Sequence, residues 1–401
     1  MKRALFALVF FCLAVGLAGA GEPIIIGETI TLPSKIMGEE RTILVSTPPG
    51  YEQSSGGYAV LYMTDGNAHF THTRGTVDFL ARNGVIPQLI IVAVANTDRT
   101  RDLSPTHVAS RTVDGRVFEN PTSGGAPKFL DFFERELFPY IDSHYRTLPM
   151  RLFSGHSFGG LFALNVFFAR PEMFDAVLAV SPSLNWDDEL PIRQASTFFD
   201  DREELNATLF VAMADEEEGD PKPNRLDRLE KALQDSKSTG FEWQIMRMPD
   251  ENHGTVVLRA HYWGLHKVFE GWRLPPNPET GRFDGGLDDV KSHYAGLSER
   301  YGFTVVPEEN QLNNLGYQIL GRDDFAGSIE VFRYNAELYP DSANVYDSLG
   351  EAFEKAGRLD ESLATYSKAV ENGAKLGDEN LPVFTANRDR VQGQIAKGKD
   401  N

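Results

Sequence analysis

Ser157 stands in the run Leu152-Phe153-Ser154-Gly155-His156-Ser157-Phe158-Gly159-Gly160, where a short apolar stretch enters a G-x-S-x-G turn and the apolar helical pattern Leu161–Ala169 follows at once. Those residue types at that spacing suit a nucleophile. A serine in a sharp strand-to-helix corner leaves no room for side chains at the flanking positions, and the helix N-terminus behind it favours developing negative charge. His156, the variable residue of the motif, is read as packing beside the turn rather than as a catalytic group.

A serine hydroxyl barely ionises at neutral pH, so it needs a histidine to take its proton and return it to the leaving group. After a G-x-S-x-G turn that histidine is expected last in chain order, on a loop beyond the final strand. His253, in Pro249-Asp250-Glu251-Asn252-His253-Gly254, meets that requirement, whereas His261 and His266 fall in the next helical pattern and read as packing or surface residues. The third member should be a carboxylate after the preceding strand, orienting the imidazole and stabilising its charged form. Leu209–Met213 is that strand, and Asp215, Glu216, Glu217 and Glu218 crowd its end. The reach from the strand favours Glu217, with Glu216 and Asp215 as alternatives. Acyl transfer also needs two backbone donors for the tetrahedral oxyanion. One is the amide of Phe158; the other is that of Gly66 or Asn67, in the turn Thr64-Asp65-Gly66-Asn67. Asp65, His69 and His72 are read as part of that turn, so neither a metal nor an organic cofactor is expected.

These groups must be held by a scaffold. Apolar β-rich runs at Thr42–Thr47, Ala59–Thr64, Leu89–Val94, Leu152–Ser154, Ala176–Val180, Leu209–Met213 and Trp243–Met246 alternate with helical patterns at Lys128–His144, Leu161–Ala169, Arg225–Ser238 and Val256–Phe269. Near-continuous apolar strands between helices predict an α/β fold, a mostly parallel sheet covered by helices on both faces. The Pro-rich stretch 274–278 then breaks regular structure, and residues 274–307 read as a linker with one helix over Val290–Tyr301. From 308 onward the text repeats at a spacing of 34: Leu315-Gly316 recurs as Leu349-Gly350, Phe325 as Leu359, Ser328-Ile329 as Ser362-Leu363 and Phe332 as Tyr366. This small all-α region, 308–401, resembles the tetratricopeptide repeat in two units, over about Gln311 to Gly373. Two units need the helical tail or the neighbouring domain to bury their open face, and they suggest either a protein partner or self-association.

Composition narrows the surroundings. Residues 1–20 carry Lys2 and Arg3, an apolar run to Leu17 and Ala18-Gly19-Ala20, the pattern of a cleaved signal peptide, so export to the periplasm or medium is expected and no membrane span after cleavage. Cys12, the one cysteine, lies inside that run, which excludes thiolate catalysis, thiolate metal sites and disulfides in the mature chain. With 58 acidic and 39 basic residues, two of the basic ones in the leader, the mature balance is 37 − 58 = −21, which argues against a nucleic-acid partner or an anionic membrane surface. The hydrolase domain is placed at 21–273.

The segments 34–41, Pro48-Pro49-Gly50-Tyr51, Val60-Leu61-Tyr62-Met63-Thr64-Asp65-Gly66, Asn96-Thr97-Asp98-Arg99-Thr100-Arg101-Asp102-Leu103-Ser104-Pro105 and Ser181-Pro182-Ser183 together resemble the α/β-hydrolase esterase family that includes esterase D and the enterobactin-type siderophore esterases. The likeness runs over about Thr29 to Trp272. It implies a serine esterase that forms an acyl-enzyme on a small-molecule ester, with Ser157, His253 and the Gly66 turn at the matching positions. Export and helical repeats suit the siderophore branch better than a cytosolic thioester hydrolase. That branch acts on anionic catecholate trilactones, which points to Arg99 and Arg101 and, for stacking, Trp186 as substrate contacts; the alternative is Arg101 paired with Asp102 and Trp186 as a pocket wall. A feruloyl, acetyl or short-acyl esterase is the alternative substrate reading, and an inactive fold serving as a scaffold the non-enzymatic one.

Overall fold

The computed structural model describes residues 23–54, 56–113, 115–216, 225–281 and 283–399. Ten strands and fourteen α-helices are present among them. Eight strands form one sheet: β1 (Glu28–Ser34), β2 (Glu39–Ser46), β3 (Tyr58–Met63), β4 (Leu89–Val94), β7 (Thr147–His156), β8 (Ala176–Val180), β9 (Glu204–Ala214) and β10 (Thr239–Met248), in the order β1-β2-β4-β3-β7-β8-β9-β10. From β4 to β10 the pairing is parallel; β1 and β2 add an antiparallel edge. Each expected strand is present. The sequence reading passed over β1 and the hairpin β5 (Ser110–Val113)–β6 (Arg116–Glu119), which are short and carry little alternation.

The buried strands read as continuous apolar runs because both faces are covered. Val60 and Tyr62 of β3 face one cluster, which takes in α3 (Ala126–Phe132), α4 (Phe138–His144), α5 (Phe158–Ala169), α6 (Trp186–Phe198) and α7 (Arg225–Gln234). Ala59, Leu61 and Met63 face the other, which takes in α1 (Gly66–Arg82) and α8 (Val256–Val268). A one-residue alternation along β3 thus feeds two cores.

The second core does not stop at α8. It runs through Val290, Tyr294 and Leu297 of α9 (Leu287–Tyr301) to Leu312, Leu315 and Ile319 of α10 (Glu309–Leu320) and Val331 of α11 (Phe325–Leu338), so the helical region shares apolar contacts with the sheet domain. Arg300 adds an ion pair to Glu242 of β10 at 3.0 Å, and Tyr301 donates to the Val268 carbonyl. Beyond lie α12 (Ala343–Lys355), α13 (Leu359–Leu376) and α14 (Leu381–Lys399). The hairpins α10–α11 and α12–α13 start 34 residues apart and repeat the same contacts. Ser328 donates to the Gly316 carbonyl at 3.0 Å as Ser362 does to that of Gly350 at 2.8 Å. Gly316 lies against the Phe332 ring as Gly350 lies against Tyr366, with no room for a side chain in either. The last hairpin meets α14, whose Phe384 packs against Gly373. No described helix is long and apolar enough to cross a membrane.

Candidate active site

Ser157, Gly66, Glu216 and His253 follow β7, β3, β9 and β10 and so emerge at the same edge of the sheet, at the carboxyl ends of parallel strands where α/β folds gather ligands. Ser157 follows β7 with φ 61° and ψ −113°, a strained conformation for a residue with a side chain, and it caps α5. The motif glycines make the turn sterically feasible. A Cβ on Gly155 would lie 2.0 Å from the Gly159 carbonyl oxygen, and one on Gly159 would lie 2.5 Å from Thr64 Oγ1. The Ser157 amide donates to the Val180 carbonyl at 2.9 Å, locking the corner onto β8.

The expected oxyanion donors open two helices. Phe158 is the first residue of α5, and Gly66 and Asn67 are the first two of α1, positions whose N–H groups have no acceptor within the helix. Asp65, at φ 55°, caps α1; His69 and His72 accordingly stand on the first turns of a 17-residue helix and not on a turn as read from the sequence. The missed helix carries threonine, glycine and histidine on a weak apolar stripe, which hid its period. Gly66 is required there because a Cβ would press on the Ala93 backbone at 3.0 Å.

His253 follows β10, and its Nδ1 lies 2.9 Å from Glu216 Oε1. With Nδ1–H donated to the carboxylate, Nε2 is left as the basic nitrogen. Burial raises the Glu216 carboxyl, yet hydrogen bonds from His253 and Ser181 and the neighbouring imidazoles outweigh it and hold the group below the ordinary carboxylate value. Among the described residues, Glu216 is the acid paired with His253. Asp215 points outward, its amide donating to the Glu251 carbonyl at 3.1 Å. Glu217, the favoured candidate, lies outside the described residues.

Arg99 and Trp186, expected substrate contacts, each have a polar partner within the chain. Arg99, on the short helix α2 (Arg99–Leu103), grips buried Asp65 through Nε at 2.6 Å and Nη2 at 3.1 Å, and donates to the His156 carbonyl at 3.0 Å. Its fork ties the Asp65 turn to the Ser157 corner. Trp186 is 2 % exposed, with Nε1 donating to Thr106 Oγ1 and its ring edge-on to Phe158 at 5.2 Å, so its ring is buried and not offered for stacking. Arg101 pairs with Asp102 at 2.7 Å and with Glu39. A residue the sequence did not single out stands beside the nucleophile turn: Arg111, on the β5–β6 hairpin, lies 4.5 Å over the Phe158 ring. Burial and the charge of Arg99 lower its guanidinium pKa, and its Nε is buried without a hydrogen bond. Only a prior placement of the hairpin could have signalled it. Among the described residues no cluster of histidine and carboxylate side chains is arranged to hold a metal ion.

A parallel sheet covered on both faces, with a strained serine corner at its carboxyl edge and a histidine–carboxylate pair beside it, defines an α/β-hydrolase. Residues 34–244, more than half of the chain, match the family described as "Putative esterase". The chain belongs to that family and is a hydrolase of ester bonds. Among its relatives, the ferri-bacillibactin esterase BesA of Bacillus subtilis is 29 % identical over 243 residues, 55 % of this chain and 82 % of that protein. The siderophore triacetylfusarinine C esterase of Aspergillus fumigatus is 32 % identical over 177 residues, 40 % of this chain and 57 % of that one. An IroE-like serine hydrolase from Shewanella oneidensis superposes with a TM-score of 0.66 at 27 % identity, over 78 % of this chain and 99 % of the other.

Proposed function

We propose that this chain is an exported siderophore esterase that works through an acyl-enzyme on Ser157. Ser157 Oγ attacks the ester carbonyl while His253 Nε2 takes its proton. The amides of Phe158 and of Gly66 or Asn67 hold the oxyanion, and the tetrahedral intermediate collapses as His253 protonates the departing alcohol. Water, deprotonated by His253, then attacks the acyl-enzyme and restores Ser157. Glu216 holds the imidazole in its tautomer and stabilises its charged form. The observation that carries this reading is the 2.9 Å contact from His253 Nδ1 to Glu216, at the same sheet edge as the strained serine.

The names of the relatives support a siderophore ester as substrate, and Arg111 supports an anionic one. It is a cation beside the nucleophile turn with no ion pair among the described residues, set against the rings of Phe118, Phe158 and Trp186. Export rests on the leader pattern of residues 1–20, which lie outside the described residues. The test is hydrolysis by the purified chain of enterobactin, triacetylfusarinine C and p-nitrophenyl butyrate, beside Ser157→Ala. Cleavage of a siderophore at kcat/KM well above that for the simple ester is the expected result. Turnover of the simple ester alone would leave a general carboxylesterase.

A further inference from the structure

Ser157 and His253 follow strands β7 and β10, which have β8 and β9 between them, a lateral separation of about 14 Å at ordinary strand spacing. The base must therefore lean across two strands to serve the nucleophile. The nucleophile corner is held by close backbone contacts, but the loop that carries His253 is largely exposed. Its internal bonds lie at its root: Glu251 N–H donates to the Met248 carbonyl at 3.0 Å, Asp215 N–H to the Glu251 carbonyl, and the Asn252 side chain accepts from Gly254 and Thr255. None of these reaches toward Ser157.

The bond that does comes from the residue next to the nucleophile. His156 Nε2 lies 2.7 Å from the backbone carbonyl oxygen of His253, and the two rings stand 4.6 Å apart. A carbonyl only accepts, so His156 carries its proton on Nε2. We propose that His156 is a positioning residue for the general base, its Nε2–H holding the His253 carbonyl and so fixing the base loop over Ser157. The proposal rests on the reading of Ser157 and His253 as nucleophile and base.

The groups around His156 keep it in that form. His253 faces it from the base loop and His69 from α1, with ring centroids 5.3 Å away; Asp65 lies beyond His69, its charge engaged by Arg99, which also bonds the His156 carbonyl. Burial, then the two imidazoles, push His156 down to about 4 against the opposing influence of the His253 carbonyl and Asp65. His156 is thus neutral whenever His253 is asked to accept a proton, and its charge does not compete with that step. The sequence reading, packing beside the turn, accounts for the ring but not for the bond.

Glutamine and asparagine separate the bond from the bulk. The amide nitrogen of glutamine falls near the position of Nε2, whereas that of asparagine falls near Nδ1, on the wrong side of the ring to reach His253. The full chain is measured as His156→Leu, His156→Asn and His156→Gln, with kcat and KM on p-nitrophenyl butyrate, the labelling rate of Ser157 by a fluorophosphonate, and Tm. Loss of alignment predicts that Leu and Asn lower kcat and labelling by about 10²-fold, and that KM moves by less than about threefold. Gln should recover at least about tenfold of that loss at a Tm matching Asn. Should Leu fail to fold, the Asn–Gln pair decides alone. Equal rates for Asn and Gln, or losses confined to KM, overturn the proposal while Ser157→Ala stays inactive. Activity persisting in Ser157→Ala would overturn the underlying reading and this one with it.

Discussion

Two corners of the same sheet edge contrast in how they are held. The Ser157 corner turns on a contact within a few residues of chain, Gly155 against Gly159, and Thr64 and Val180 seat on the turn so made. The acid corner after β9 is made by distant partners: the Ala214 amide on Ser181 Oγ at 3.3 Å, the Asp215 amide on the Glu251 carbonyl, and the Glu216 carboxylate on His253. A corner fixed by local sterics leaves a motif; one fixed by neighbouring loops leaves only a cluster of acids.

The contrast breaks most sharply at the nucleophile. Ser157→Ala is expected to lower kcat by about 10³- to 10⁶-fold with Tm unchanged, because the hydroxyl supports no part of the fold; a smaller loss in ester hydrolysis would remove Ser157 from its role. At the acid corner, Glu216→Gln should cost about 10²- to 10⁴-fold in kcat through loss of the tautomer and of charge stabilisation. Asp215→Asn and Glu217→Gln should each stay within about threefold. If Glu217→Gln instead shows the large effect, the pairing with Glu216 is not the working one. Gly159→Ala probes the steric side. The new methyl presses on Thr64 and Asp65, so the oxyanion turn must shift. Overpacking of about 1–3 kcal/mol and a loss of about tenfold or more in kcat are expected, readable by calorimetry and rate on one preparation.

The same difference explains what could be read from the chain. Strands such as Leu89–Val94 and Ala176–Val180 are legible to the residue because burial on both faces makes them uniformly apolar. Ser157 and His253 are legible because motif and chain order constrain them. The 34-residue spacing is legible because Gly316 and Gly350 must each admit an aromatic ring. Glu216 was only one of four acids, since its selection depends on Ser181 and Glu251, 35 residues away on either side. Arg99 read as a ligand contact because no local pattern marks Asp65 as its partner. Trp186 read as a stacking contact because nothing local says that its ring packs edge-on against Phe158. Arg111 was silent because nothing in a short polar hairpin says which surface it covers.

The smallest expected effect concerns the histidines that join the two corners to the core. Rings of His253, His156, His69, His72 and His261 follow one another at centroid distances of 4.6, 5.3, 5.2 and 5.8 Å, from the exposed base to a residue sealed between Thr73 and Ser154. Burial is the first cause that lowers His69, His72, His156 and His261; neighbouring imidazoles add to it in His72, His156 and His261, and in His69 the Arg99 charge adds to it while Asp65 opposes. In the unfolded chain these rings titrate at the ordinary histidine value of about 6.5, and in the fold they titrate lower. Between the two values the unfolded state holds more protons, so stability rises with pH; it is fully present above the ordinary value and is lost as pH falls toward about 4, where His156 itself protonates. Glu216 acts in the same direction but lower, since a depressed carboxyl loses its contribution only as pH falls through the carboxylate range. A drop between pH 7 and pH 5 therefore belongs to the histidines. Calorimetry should show Tm falling by about 5 °C or more across that interval, and His72→Asn, which removes a ring from the middle of the file, should make the fall shallower. A Tm that is flat from pH 7 to pH 5 would mean that these rings are charged or hydrated in the fold, and that the path from the base to the core is wet.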